Sequence, residues 1–339
     1  MVRTFRPSPG AARGLLLALG VFFAPLAHAQ SDALPSWNDG QTKKAITAFV
    51  HRVTNAGGPD FVPLPERIAV FDNDGTLWAE KPLPNEIYFL LSRVKELAAK
   101  DPTLRERQPF KAALEGDAAY FHEVGAKAVL ELLLATHSEM SQEQFAATAR
   151  RFLQAERHPK LSRPYTATIY QPMIELLAYL RANGFQTWIC SGGTADFMRV
   201  FTTQTYGIPP ERIIGSVIKR DSRVLDGRRV VWLLPQIDSV NDKEFKPVNI
   251  DRQIGIRPTF VGGNVGNGGD IAMMEYSKGR TGASFQLLIN HDDEVREFAY
   301  VEKDNFSIDA AKKNSFAVVS IKSDWKTVLI GGQAAAGGK

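Results

Sequence analysis

One cysteine among 339 residues, Cys190, excludes an intramolecular disulfide, so the fold has to rest on its apolar core. Cys190 sits in an apolar run, which reads as a buried, inert thiol. The first 29 residues contain no acid. They carry Arg3, Arg6 and Arg13, then an apolar stretch at 14–26, then Ala27-His28-Ala29. That stretch has 13 residues and includes Pro25, short of the about 20 that a membrane span needs. The pattern is that of a secretory signal peptide cut after Ala29, for a periplasmic or secreted protein with no membrane span in its mature form. Losing three arginines takes the formal charge from +4 to +1. No basic stripe is left for nucleic acid, which is not an expected partner. No internal repeat is visible.

What is present is an ordinary globular composition, 44% hydrophobic and 23% charged, with room for two domains. Residues 30–64 form a polar N-terminal extension with one short helical stretch around 43–53. Apolar residues recur at three-to-four spacing over 85–100, 108–123, 125–136 and 141–156, and Ser141 with Gln144 reads as a capping box. No convincing strand lies between 85 and 160. From Ile169 strands and helices alternate: helices over 170–183, 194–206, 243–254, 270–277 and 292–301, strands over 185–190, 259–262, 285–290 and 316–321. Asp226-Gly227, flanked by 212–219 and 224–234, signals a hairpin. This order predicts an α/β protein with a Rossmann-like, doubly wound parallel sheet and an inserted all-helical cap. The expected domains are 65–76 with 165–330 as the core, 77–164 as the cap, and a flexible tail at 331–339.

Three polar segments fall at carboxyl ends of predicted strands, where such sheets bind ligands. They are Asp72-Asn73-Asp74-Gly75-Thr76, Ser191-Gly192-Gly193-Thr194, and the glycine-rich loop from Gly262 to Asp270. Asp72 and Asp74 repel unless a cation lies between them, and Mg²⁺ is the default for carboxylates working with phosphate. One carboxylate can attack while the other handles a proton. Ser191 and the amides after it, read as opening a helix, suit a phosphate oxygen. Asp270 can cap a helix or bind metal. Alone, each segment also has an ordinary structural reading: a solvated turn or cap pair, a strand-to-helix turn, and a loop that misses G-x-G-x-x-G because Asn264 stands at the middle glycine.

Together these segments resemble the haloacid dehalogenase-like (HAD) hydrolase superfamily, and most closely its phosphoserine-phosphatase-like phosphatases, over roughly residues 66–330. Asp72 to Thr76 matches the D-x-D-G-T motif. Ser191 matches the second motif. Lys246 matches the third-motif lysine, with Lys243 as runner-up. Asp270 matches the final acid. The loop departs from the family pattern, with Asn264 or Asn267 where a first acid is usual. The resemblance implies a Mg²⁺-dependent hydrolase of small phosphorylated metabolites that works through an aspartyl-phosphate. Asp72 would be the nucleophile and Asp74 the acid and base. Ser191, Gly192, Gly193 and Lys246 would hold the phosphoryl group. Metal would be held by the side chain of Asp72, the carbonyl of Asp74, and Asp270 with Asn264 or Asn267. Glu80 either reads a substrate amine, as in phosphoserine-specific relatives, or is a solvated loop acid. Trp78 is a pocket wall or cap packing. His291-Asp292-Asp293 reads as a helix cap, and His122, His137 and His158 lack metal spacing. The competing readings are a non-catalytic exported binding protein, another HAD-type hydrolase such as a dehalogenase, and a nucleotide-binding oxidoreductase.

Overall fold

The computed structural model describes residues 1, 2, 4, 32–266 and 268–332. The chain divides into two compact units, 1–32 and 33–339. The described residues of the first, Met1, Val2, Thr4 and Asp32, are exposed. The signal-peptide segment otherwise lies outside the described residues, as do Asn267 and the tail from 333.

The second unit begins with α1 (Gln41–Thr54) and β1 (Ile68–Phe71). A helical insert follows: α2 (Asn85–Lys100), α3 (Phe110–Glu115), α4 (Ala118–Val124), α5 (Ala126–His137), the two-residue β2 (Met140–Ser141) and α6 (Gln142–Ala155). The chain then returns through α7 (Gln171–Ala182), β3 (Gln186–Thr194), α8 (Ala195–Met198) and α9 (Thr202–Tyr206). The hairpin β4 (Ile213–Leu225) and β5 (Arg228–Ser239) leads to α10 (Phe245–Ile254), β6 (Phe260–Asn264) and α11 (Ile271–Lys278). Last come β7 (Phe285–Asn290), α12 (Phe306–Asn314), β8 (Ala317–Ser320) and α13 (Ile321–Asp324).

Among the described residues eight strands form one sheet in the order β2-β5-β4-β3-β1-β6-β7-β8. From β4 to β8 every pairing is parallel, while β5 runs antiparallel to β4, and β2 to β5. The chain leaves β1 to build β3 on one side and β6 on the other. This opens a crevice at the carboxyl end of β1. Register aligns its rim, with Phe71 opposite Ile189 of β3 and Gly262 of β6. β1 is buried along its whole length, as expected of a strand covered on both faces. The extension before β1 belongs to this packing: Phe49 of α1 lies 5.2 Å, ring centroid to centroid, from Phe285 and 6.3 Å from Phe260.

The hairpin turns where expected, with Asp226 (φ 49°) and Gly227 (φ 75°) both left-handed, as a type I′ turn requires. The capping box is formed: Ser141 Oγ accepts from Gln144 N at 3.2 Å and Gln144 Oε1 from Ser141 N at 2.8 Å.

Several predicted elements differ. The segment 108–123 is two helices, because Gly116 (φ 73°) ends α3 and the Asp117 carboxylate caps α4 at Tyr120 N. The segment 194–206 likewise splits into α8 and α9. The helical insert contains β2, too short to show a period, which joins it to the hairpin through Met140 opposite Leu233 and Ser141 opposite Trp232. No helix forms over 292–301, and His291-Asp292-Asp293 caps none there. Asp293 Oδ1 instead accepts the amides of Val295 and Arg296, and Asp292 accepts from Ser320 Oγ and Lys322 N. These short side chains offer the backbone an alternative to the helix ladder. Among the described residues no helix is long and apolar enough to cross a membrane.

Candidate active site

The crevice at the end of β1 is a cavity of about 360 Å³. Its floor is built from the sheet edge. β1 delivers Asp72 and, across a tight turn, Asp74. β3 delivers Ser191, Gly192 and Gly193. β6 and the loop after it deliver Asn264 and Asp270, and α10 supplies Lys246. The β1 turn is locked by the Asn73 carbonyl, which accepts from the amides of Thr76 and Leu77 at 3.2 and 2.8 Å. Gly75 is required there twice over: its φ is +74°, and a Cβ would stand 2.0 Å from Asn264 Nδ2.

Lys246 is the hub. Its Nζ donates to Asp72 Oδ1 at 2.7 Å and to Asp270 Oδ1 at 2.5 Å, and all three side chains are buried. Burial disfavours the ammonium, but the carboxylates of Asp270 and Asp72 outweigh it and hold Lys246 above its usual range. Burial, reinforced by the Asp270 carboxylate and opposed by Lys246, raises Asp72 well above the usual carboxylate range. Asp74 is pushed up to about 7, first by burial and then by Glu80 and Glu86, against a 2.7 Å hydrogen bond from Trp78 Nε1.

The runner-up Lys243 is exposed and is not among the residues lining the cavity. Asp270 does not cap α11; its Oδ2 accepts the Asn264 amide at 2.9 Å. The Asn264 side chain turns the other way, its Nδ2 donating to Glu80 Oε1 and Tyr300 Oη, each at 3.2 Å. Asn267 lies outside the described residues. Glu80 is no solvated loop acid. It lines the cavity and accepts from Tyr300 Oη at 2.5 Å. Trp78 packs instead of lining the cavity, stacked 4.5 Å from Phe201.

One expectation at the second motif is corrected. The amides after Ser191 do not open a helix, because β3 continues to Thr194 and α8 starts only at Ala195. Gly193 N donates to Ser191 Oγ at 3.4 Å and Thr194 N to Glu86 Oε2 at 2.9 Å, so both amides already have partners. Cys190, directly before, is buried as expected, its thiol pushed up to about 12 by burial.

Sequence reasoning missed four residues that shape the site. Glu86, at the start of α2, binds Thr194 through both its amide and hydroxyl and so ties the helical insert to β3. His291 Nε2 donates to the Gly75 carbonyl at 2.9 Å. Glu297 accepts from Tyr170 Oη at 2.5 Å and lies 3.1 Å from His291 Nδ1. Tyr300 stacks on His291 at 4.3 Å. None has a local signal, because each acts across more than 100 residues of chain or sits in the segment misread as a helix.

The described residues lining the cavity include six carboxylates, Asp72, Asp74, Glu80, Glu86, Asp242 and Asp270, against one cation, Lys246. That donor set suits a hard divalent cation. Among the described residues no cluster of three or more His, Cys, Asp or Glu is already drawn together as a metal site. The fit therefore rests on a sparse set completed by carbonyl, carboxamide and water, as magnesium commonly accepts.

The haloacid dehalogenase-like hydrolase family model matches residues 69–258. The chain belongs to this family. The match covers Asp72, Asp74, Ser191 and Lys246 and stops short of β6 and the glycine-rich loop that follows it. No curated protein matches the chain. Solved structures similar to it include a conserved, functionally unknown protein from Anaerococcus prevotii DSM 20548, 16% identical, covering 87% of this chain and 97% of that one with a TM-score of 0.51. A protein of unknown function from Bordetella pertussis Tohama I is 17% identical over 75% and 98%, with a TM-score of 0.49. A phosphoserine phosphohydrolase-like protein from Francisella tularensis subsp. tularensis SCHU S4 is 19% identical over 75% and 94%, with a TM-score of 0.42. At 16% identity, the likeness to the first of these bears on the fold alone.

Proposed function

We propose that this HAD hydrolase is an exported, magnesium-dependent phosphatase of small phosphate monoesters, acting through an aspartyl-phosphate. The observation that carries the reading is Lys246 bridging Asp72 and Asp270 beneath a cavity that Asp74 also faces. Asp72 attacks phosphorus as the nucleophile. Asp74, with its carboxyl near 7, protonates the leaving oxygen and then takes a proton from the water that cleaves the intermediate. Lys246 and Ser191 face the equatorial oxygens, where fixed charge and donors lower the barrier. Magnesium would be held by Asp72, Asp270, the Asp74 carbonyl and Asn264, and when bound would neutralise phosphate charge. Asp74 also speaks against the dehalogenase reading, since dehalogenases do not use the second aspartate. The signal-peptide pattern read in residues 1–29 supports export.

The test is phosphate release from an aryl phosphate with Mg²⁺, with EDTA, and in Asp72→Asn. Metal-dependent turnover abolished in Asp72→Asn is the expected result. Turnover that survives the substitution would refute the assignment of the nucleophile. A folded protein that binds phosphate esters without turning them over would point to a binding protein, the reading that an asparagine, Asn264 or Asn267, in place of an acid favours.

A further inference from the structure

Above the charged floor, the cavity is roofed by the apolar side chains Ile87 and Leu90 of α2 and Val129 and Leu133 of α5. Ile87, Leu90 and Val129 also line a second cavity of about 310 Å³ inside the helical insert. These three side chains form a wall common to both cavities. The rest of the second cavity is apolar too, with Leu83, Leu91, Phe121 and Leu132 prominent and no charged or hydrogen-bonding side chain among the described lining residues. Its volume is in the range of small-molecule sites, about 300–1,000 Å³.

We infer that this second cavity receives the apolar alcohol portion of the substrate, so that the enzyme prefers monophosphates of alkyl or aryl alcohols. The inference rests on the phosphatase reading and narrows its substrate class. A polar leaving group placed there would lose its hydration and find no partner. Of the acids that could recognise an amine in the first cavity, Glu80 is engaged by Tyr300 and Asn264 and Glu86 by Thr194, and Asp242 is exposed to solvent. An apolar chain needs no such partner and gains from leaving water. The reaction balances with water alone. Asp72 forms a bond to phosphorus as the P–O ester bond breaks, and the departing oxygen takes the Asp74 proton to give the free alcohol. Water then cleaves the acyl phosphate to inorganic phosphate.

The experiment uses the full chain and the series of n-alkyl phosphates from methyl to octyl, whose leaving-group chemistry is nearly constant. We expect kcat/KM to rise about four-fold per methylene over the first several carbons. Leu91→Asn, which alters the second cavity alone, should flatten that rise. Turnover of methyl phosphate with a flat or falling series would overturn the inference and leave the phosphatase reading standing. A rise that is unchanged in Leu91→Asn would also overturn it, because the chain would then bind elsewhere. If no ester is hydrolysed, the phosphatase reading fails instead. Calorimetry with methyl- and octylphosphonate then decides the cavity: tighter binding of the octyl compound supports it, and equal or absent binding overturns it.

Discussion

His291 holds the turn that carries both candidate catalytic aspartates. Its Nε2 donates to the Gly75 carbonyl at 2.9 Å from a site 216 residues along the chain, and Nδ1 lies 3.1 Å from Glu297 Oε2. Glu297 is fixed in turn by Tyr170, and His291 is stacked on Tyr300, whose hydroxyl holds Glu80. The network touches no cavity-lining atom of Asp72 or Asp74, so its role is positional. In His291→Leu the buried Gly75 carbonyl loses this donor, at a cost of about 1–3 kcal/mol. Because small displacements of a reacting group are expensive, kcat should fall by about ten- to a hundred-fold with KM little changed. His291→Gln keeps a donor and should recover part of the loss. Steady-state kinetics of both variants checks this, and a loss confined to KM would count against it.

Lys246→Met removes the cation between Asp72 and Asp270. Two buried carboxylates then face each other across the cavity floor, and breaking such a pair costs about 3–5 kcal/mol. Turnover should fall by about 10²–10³ because a fixed charge aimed at the phosphoryl group is gone. Urea denaturation and phosphate release read the two effects separately. Stability near that of the wild type would mean the lysine contributes little to the pairing geometry.

The sheet was legible because its central strands contain short apolar runs, such as Ile68–Phe71 before Asp72 and Phe260-Val261 before Gly262. Asp72, Ser191 and Asp270 could be placed because strand ends can be read locally. The four-residue spacing of apolar residues likewise revealed α2 and α6. What escaped was non-local. β2 has two residues and exists because β5 is there to pair with it. The stretch after β7 has enough apolar and charged residues for a helix, yet Asp292 and Asp293 bind neighbouring amides and hydroxyls instead. Glu86 reads as a first-turn helix acid, and its link to Thr194 spans 108 residues. The choice between Lys246 and Lys243 also needed three dimensions, because α10 buries the first and leaves the second outside its first turn.

Gly75→Ala tests how closely the loops are fitted. The backbone there has φ +74°, which costs a non-glycine residue about 1–3 kcal/mol. The new methyl would also meet Asn264 Nδ2 at 2.0 Å and Tyr300 Oη at 2.9 Å, displacing both from Glu80. The expected outcome is a lower melting temperature together with weaker retention of Mg²⁺, since Asn264 is moved. Metal titration followed by calorimetry checks the second effect. A variant that melts early but binds metal as the wild type does would remove Asn264 from the metal site.

His158 gives the protein a stability that depends on pH. Its Nδ1 accepts the amides of Lys160 and Leu161 at 3.3 and 3.1 Å, so Nε2 carries the proton and donates to the Lys81 carbonyl at 3.0 Å. Burial holds the imidazole below its ordinary 6.5, with the Lys81 carbonyl opposing. The unfolded chain therefore takes up a proton here at higher pH than the folded protein does. The contribution is complete above about pH 6.5 and is lost as pH falls through the depressed folded value. Melting temperatures measured from pH 7.5 down to 5 should fall more steeply for the wild type than for His158→Gln, which keeps a donor for Lys81 but does not titrate. Parallel curves would show that the ring takes up its proton alike in the folded and unfolded chain, and would overturn this assignment.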